Sequence, residues 1–230
     1  MRGMSRPIKN CNYASIGVGA LIVFIALVLL AGIAATVLIQ TSSILELQTM
    51  STGRETTEEV STGVTVFSVE GYAETGSDIS KIALLIRPRA GSYEIDLSTT
   101  YIELSDTNKK VILTYNQSWY SDPGGQSNIF SAAVFPEDRW PYHDPNEKDA
   151  SEFGIMVMED GDDSISGPTP IINKGDKVFI CINTTATFNT IAERTDVWGR
   201  IVPENGGEAL IEFTTPATYS DTVMEILLNM

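Results

Sequence analysis

The sequence predicts an α+β protein: a long N-terminal hydrophobic α-helix followed by an antiparallel β-sandwich. Three observations carry this. Ile16 to Ile39 is an unbroken apolar run in which Thr36 is the only polar side chain. From Val64 onward the apolar spacing changes from a helical period to alternation. Short alternating runs then recur through the rest of the chain, separated by turn signals and with no helical pattern between them. The chain divides accordingly into a leader over residues 1–14, a helix over 15–62 and a β domain over 63–230.

The first fourteen residues, MRGMSRPIKNCNYA, are short, polar and basic, with Arg2, Arg6 and Lys9 ahead of the apolar run. Positive charge before a hydrophobic segment holds that end in the cytoplasm and sends the rest outward. A secretory signal peptide carries its apolar region within the removed part. Here a small-residue pair, Ala14-Ser15, precedes the apolar run, so cleavage there leaves the hydrophobic segment on the mature chain. That order belongs to filament subunits made with a type III signal peptide.

A bilayer core takes roughly 20 apolar residues in a helix, and 24 of them reach about 36 Å at ~1.5 Å per residue. A helix apolar on all sides is either lipid-embedded or enclosed by other helices. Gly17, Gly19, Ala20, Ala31, Gly32 and Ala35 supply small residues that allow helices to approach closely, although a plain single-pass anchor contains such residues too. Beyond Ile39, Ile44, Leu47 and Met50 keep one apolar stripe, and Gly53 marks a position where the helix can bend before it ends near Ser61-Thr62-Gly63.

Strands are expected at Val64–Val69, Lys81–Arg87, Thr100–Leu104, Lys110–Tyr115, Asn128–Phe135, Phe153–Met158, Lys177–Asn183, Arg194–Val202, Ala209–Phe213 and Thr222–Leu228. Turn signals separate them at Asp122-Pro123-Gly124-Gly125, Asp160-Gly161, Lys174-Gly175-Asp176 and Asn205-Gly206-Gly207. Many short strands at this spacing favour an antiparallel sandwich. Pro136 to Ser151 is the longest polar, proline-bearing interruption and reads as an exposed loop.

Fifteen Lys and Arg stand against thirty Asp and Glu, a net charge of −15. That balance argues against nucleic acid as a partner, because phosphates would be repelled. The sole histidine, His143, lies in the proline-bearing loop, and no phosphate-binding loop, zinc spacing or nucleophile elbow is present. Nothing therefore points to an enzyme or a cofactor. Cys11 and Cys181 lie on opposite sides of the apolar run, so a bridge between them is not expected. Glu159 to Ser166 gathers carboxylates as a calcium loop would, with Asp160, Asp162 and Asp163 as candidate ligands. It lacks the Gly and terminal Glu of an EF-hand, so the loop reads as a solvated turn with no metal, and a divalent-ion site is the alternative. Asn116-Gln117-Ser118 and Asn183-Thr184-Thr185 are sequons that this topology places outside the cell, each where a strand gives way to a loop.

Together these residues resemble an archaeal flagellin (archaellin). Gly17 to Ser42 looks like that family's N-terminal signature. The stretches Ala83–Asp106, Ile172–Asn183, Arg194–Gly206 and Thr215–Ile226 are similar to blocks that follow in the family's order. The resemblance implies a class III leader cut between Ala14 and Ser15 by a preflagellin peptidase, with Ala14 standing where the family usually has Gly. It also implies an immunoglobulin-like outer sandwich and N-glycosylation. The chain would insert in the cytoplasmic membrane, then assemble helically with copies of itself, and with other flagellins, into an extracellular swimming filament. Removal of the three basic leader residues would take the net charge from −15 to −18. An archaeal type IV pilin used for adhesion would share the leader and the helix. A membrane-anchored surface domain would keep the leader uncut.

Overall fold

The computed structural model describes residues 12–74, 78–122, 124–125, 128–131, 133–136, 151–219, 221–226 and 228. The chain forms two compact units, 1–55 and 56–230. The first is nearly all helix. α1 spans Asn12–Ser61, 50 residues without a break, and continues straight through Gly53 in backbone conformation. Its interior polar side chains turn back on the helix itself: Thr36 Oγ1 donates to the Gly32 carbonyl at 2.9 Å and Thr41 Oγ1 to the Val37 carbonyl at 3.0 Å. The apolar run therefore presents no unsatisfied hydroxyl.

The second unit holds the strands. They are β1 (Val64–Ala73), β2 (Ile79–Pro88), β3 (Ile95–Asp96), β4 (Tyr101–Ser105), β5 (Lys110–Ser121), β6 (Glu152–Glu159), β7 (Ile171–Ile172), β8 (Lys177–Asn183), β9 (Asp196–Val202), β10 (Ala209–Thr214) and β11 (Val223–Ile226). Nine of them form one sheet in the order β10-β9-β4-β5-β6-β8-β2-β1-β11, and β3 pairs with β7 separately. The antiparallel β architecture is as expected, with the two layers of the sandwich realised as parts of a single sheet that curls until its edges meet. Phe213 in β10 bridges Leu228 beyond β11, and Gly63 bridges Gly207 at the other end of the same seam.

Inside lie Val69, Leu84, Ile86, Ile102, Leu104, Phe153, Ile180, Ile201 and Phe213, all fully buried. Each sits at an inward position of its strand, which is the alternation that burial on one face imposes.

Three local features depart from expectation. Asn128–Phe135 is not a strand: a 3-10 turn, Ile129–Ser131, forms there instead. Asn128 competes for the backbone, its side chain accepting from Phe130 N at 3.0 Å. Phe130, Val134 and Phe135 then pack onto Leu85, Met156, Phe179 and Cys181, so the outer face of β2, β6 and β8 is buried as well. Second, β5 runs on to Ser121 and pairs with β6 in parallel, with a register break between Tyr115 and Tyr120. Gly154 fits this junction because a Cβ there would lie 1.8 Å from the Val134 carbonyl oxygen and 2.7 Å from that of Trp119. Third, a five-residue helix, α2 (Thr184–Phe188), follows β8 directly. Most of the proline-bearing loop, with His143, lies outside the described residues.

Candidate functional site

From Ile16 to Thr57 every residue of α1 is exposed, including Leu21, Phe24, Leu30, Ile33 and Leu38. Apolar surface costs roughly 25 cal/mol per Å² when left in water, so a helix of this composition is not at equilibrium as a solvated rod. At ~100° per residue, Gly17, Ala20, Ala31, Gly32 and Ala35 fall along one side of the helix, while Gly19 falls on the opposite side. A Cβ added at Gly17, Gly19 or Gly32 would meet nothing within 4 Å. The chain's own packing thus gives no reason for glycines that cost about 1 kcal/mol each in a helix. The Ala14–Ser15 bond lies in the first turn of α1. Cys11 is outside the described residues.

The acidic loop is only partly as expected. Asp160, Asp162 and Asp176 bring one carboxylate oxygen each within 4.8 Å of one another. Asp163 is not among them: it is an exposed turn residue at φ 58°. Asp176 is distant in sequence and arrives through the turn before β8, its Oδ2 accepting from Asn173 N at 2.8 Å. Hydrogen bonds from Ser164 and then Asn173 hold the Asp162 carboxyl below its ordinary range. Tyr115 and Tyr120 secure the neighbouring backbone, donating to the carbonyls of Gly167 at 2.7 Å and Ile165 at 2.9 Å. Burial pushes the Tyr115 hydroxyl up to about 12, so it stays a donor. Calcium takes about six to eight oxygens, so these three carboxylates amount to a partial ligand set at most.

The two sequons differ in structure. Asn116 sits in the register break of β5, where Gln117 and Ser118 are exposed and its own Nδ2 donates to Glu152 Oε2 at 2.8 Å. Asn183 is the N-cap of α2. Its Oδ1 accepts from Thr185 N at 3.1 Å and Ala186 N at 3.2 Å, and its Nδ2 donates to the Pro136 carbonyl at 2.7 Å. The capping use of Asn before a short helix was a second meaning the same triplet allowed.

On the outer face of β4, β5 and β9, Glu103 accepts from Arg200 Nε and Lys110 Nζ, each at 2.8 Å, with its side chain only 12% exposed. Cys181 is a buried free thiol whose titration burial pushes up.

Residues 14–213 match the family described as archaeal-type flagellin. The chain belongs to the archaeal-type flagellin family. This flagellin is 42% identical to a protein named flagellin B2 from Methanocaldococcus jannaschii, over 94% of each chain. It is 38% identical to flagellin B3 of Methanococcus voltae, over 92% of this chain and 95% of that one. Its fold is similar to a crystal structure of an archaeal flagellin from Methanocaldococcus jannaschii, with a TM-score of 0.59 and 32% identity, covering 72% of this chain and 96% of that one. A chain of the archaeal flagellum of Methanospirillum hungatei shares the fold at a TM-score of 0.59 and 12% identity, covering 92% of this chain and 99% of that one.

Proposed function

We propose that this flagellin is the repeating subunit of an archaellum, and that it polymerises through α1 into an extracellular swimming filament. The observation that carries this is a 50-residue helix, apolar on all sides over its first half, attached to a folded β domain of the flagellin family. Bundling α1 with copies of itself replaces lipid contacts by helix contacts, and the small-residue side lets backbones approach. A contact that does not close on itself repeats into an open helical polymer. The chain performs no chemical step; it transmits torque generated elsewhere.

Before assembly the chain spans the cytoplasmic membrane by α1, and a preflagellin peptidase cuts between Ala14 and Ser15. The peptidase would have to unwind the first turn of α1 to reach the bond. Electron microscopy of sheared filaments, with N-terminal sequencing of their protein, tests the whole reading. Filaments built of chains beginning at Ser15 are expected. Wild-type chain found only as uncut membrane monomer overturns it.

A further inference from the structure

Strand alternation assigns outward positions to polar residues, yet large apolar side chains stand at several of them, Ile112 and Trp198 included, and two such places are complementary to one another. In β10 the buried residues Ala209, Ile211 and Phe213 alternate with exposed Leu210 and Glu212. Leu210 is 72% exposed and is flanked by the exposed carboxylates Glu208 and Glu212. Arg200 reaches Glu208 at 3.2 Å, whereas Glu212 has no ion-pair partner among the described residues. This is an aliphatic knob between two negative charges.

The second place is the outer face of β1, β2, β6 and β8. Phe67 occupies the bulge of β1 and is 59% exposed, and Met158 in β6 is 55% exposed. With Leu85 they floor a groove of about 250 Å³ whose rim is Arg87 and Lys177. The Arg87 guanidinium lies 5.2 Å from the centre of the Phe67 ring, and Lys177 pairs with Glu159 at 2.6 Å.

We infer that the groove of one copy receives Leu210 of the next, with Glu212 set against Arg87, since Glu208 and Lys177 are each paired within their own chain. The occupant is a second copy of this chain because the charges are complementary in sign and the apolar centres match. Knob and groove lie on different strands of one molecule, so within a helical filament each copy can give its knob to one neighbour and its groove to another, as a heterologous contact requires. It gives the outer domains a lateral contact of their own, in addition to the helix bundle. Electrostatic complementarity of this kind fixes register more than it adds affinity. The inference rests on the filament-subunit reading.

The test uses filaments from cells in which the variant is the only flagellin. Leu210→Cys with Met158→Cys is oxidised in intact filaments and run on a non-reducing gel. A ladder of covalent oligomers, absent from either single variant, is expected. Monomer alone from intact filaments overturns the inference. If the cysteine pair yields no filaments, charge reversal decides. Arg87→Glu and Glu212→Lys should each shorten filaments about tenfold or more, as like charges brought together across an interface do, and the double reversal should restore length. Failure to restore overturns the inference. Wild-type chain missing from filaments altogether would overturn the subunit reading instead.

Discussion

Arg89 reaches across the seam of the closed sheet to Glu208, donating from Nη2 to its carbonyl oxygen at 2.8 Å. Its Nε donates to the Val64 carbonyl at 3.2 Å, so one guanidinium bonds the backbone at the start of β1 and the backbone just before β10. The Gly63–Gly207 bridge lies beside it, with Gly207 N donating to the Thr62 carbonyl at 2.8 Å. This end of the seam, where the start of β1 meets the start of β10, is held by one side chain and a glycine pair, and the Phe213–Leu228 bridge holds the other.

Arg89→Ala removes both charge-assisted bonds and leaves two carbonyls to water. The side chain is exposed, so the cost is expected at about 1–2 kcal/mol, near the lower end for bonds made by charged groups. Urea unfolding followed by tryptophan fluorescence should show a lower midpoint at unchanged slope. An unchanged midpoint would mean that the seam closes without the guanidinium.

Glu103 ties stability to pH. Hydrogen bonds from Arg200 and then Lys110 hold its carboxyl down to about 2. The folded state thus binds this proton less readily than the unfolded chain does. The stabilisation is fully present above the ordinary carboxylate range and is lost as pH falls from that range toward about 2. Glu103→Gln should flatten that part of a plot of melting temperature against pH and leave its shape near neutrality unchanged.

Ala31→Leu and Ala35→Leu separate insertion from assembly. Leucine is as favourable in lipid as any residue, so membrane insertion should be retained. The added bulk stands on the small-residue side of α1 and keeps neighbouring helices apart. Fractionation should recover each variant in the membrane, and microscopy should find no filaments. Filaments of normal diameter would show that this side of α1 faces no close neighbour.

The two sequons should not behave alike. A glycan at Asn116 displaces one bond to Glu152 in a bulged, exposed segment, whereas at Asn183 it competes with the bond to Pro136 at a helix cap. Peptide mass spectrometry of native filaments is expected to show fuller occupancy at Asn116. Asn183→Ala should also cost about 1 kcal/mol through the lost cap, with or without a glycan.

If the Asp160, Asp162 and Asp176 cluster takes calcium, the ion will raise the melting temperature of the β domain. Binding to the folded form alone adds about 2.7 kcal/mol at a hundred times the dissociation constant. Asp176→Asn should abolish the increase, and Asp163→Asn should leave it, because only Asp176 shares the cluster. Equal melting with calcium and with chelator would assign the loop to solvent.

Much of this molecule was written locally. The unbroken apolar run of Ile16 to Ile39 specifies a helix that needs company, since its side chains are apolar on every side. Burial on one face of a sheet dictates alternation, so β1, β2, β8 and β10 could be read within a few residues of their ends. Asn128–Phe135 could not, because its apolar residues serve an outer cluster assembled from β2, β6 and β8 rather than a ladder. Nor could the parallel pairing of β5 with β6, the two-residue strands β3 and β7, or the arrival of Asp176 beside Asp160. These depend on which segments meet across long stretches of sequence. A residue's own type sets its preference for water or for the interior; only the closed sheet decides which neighbours it finds there.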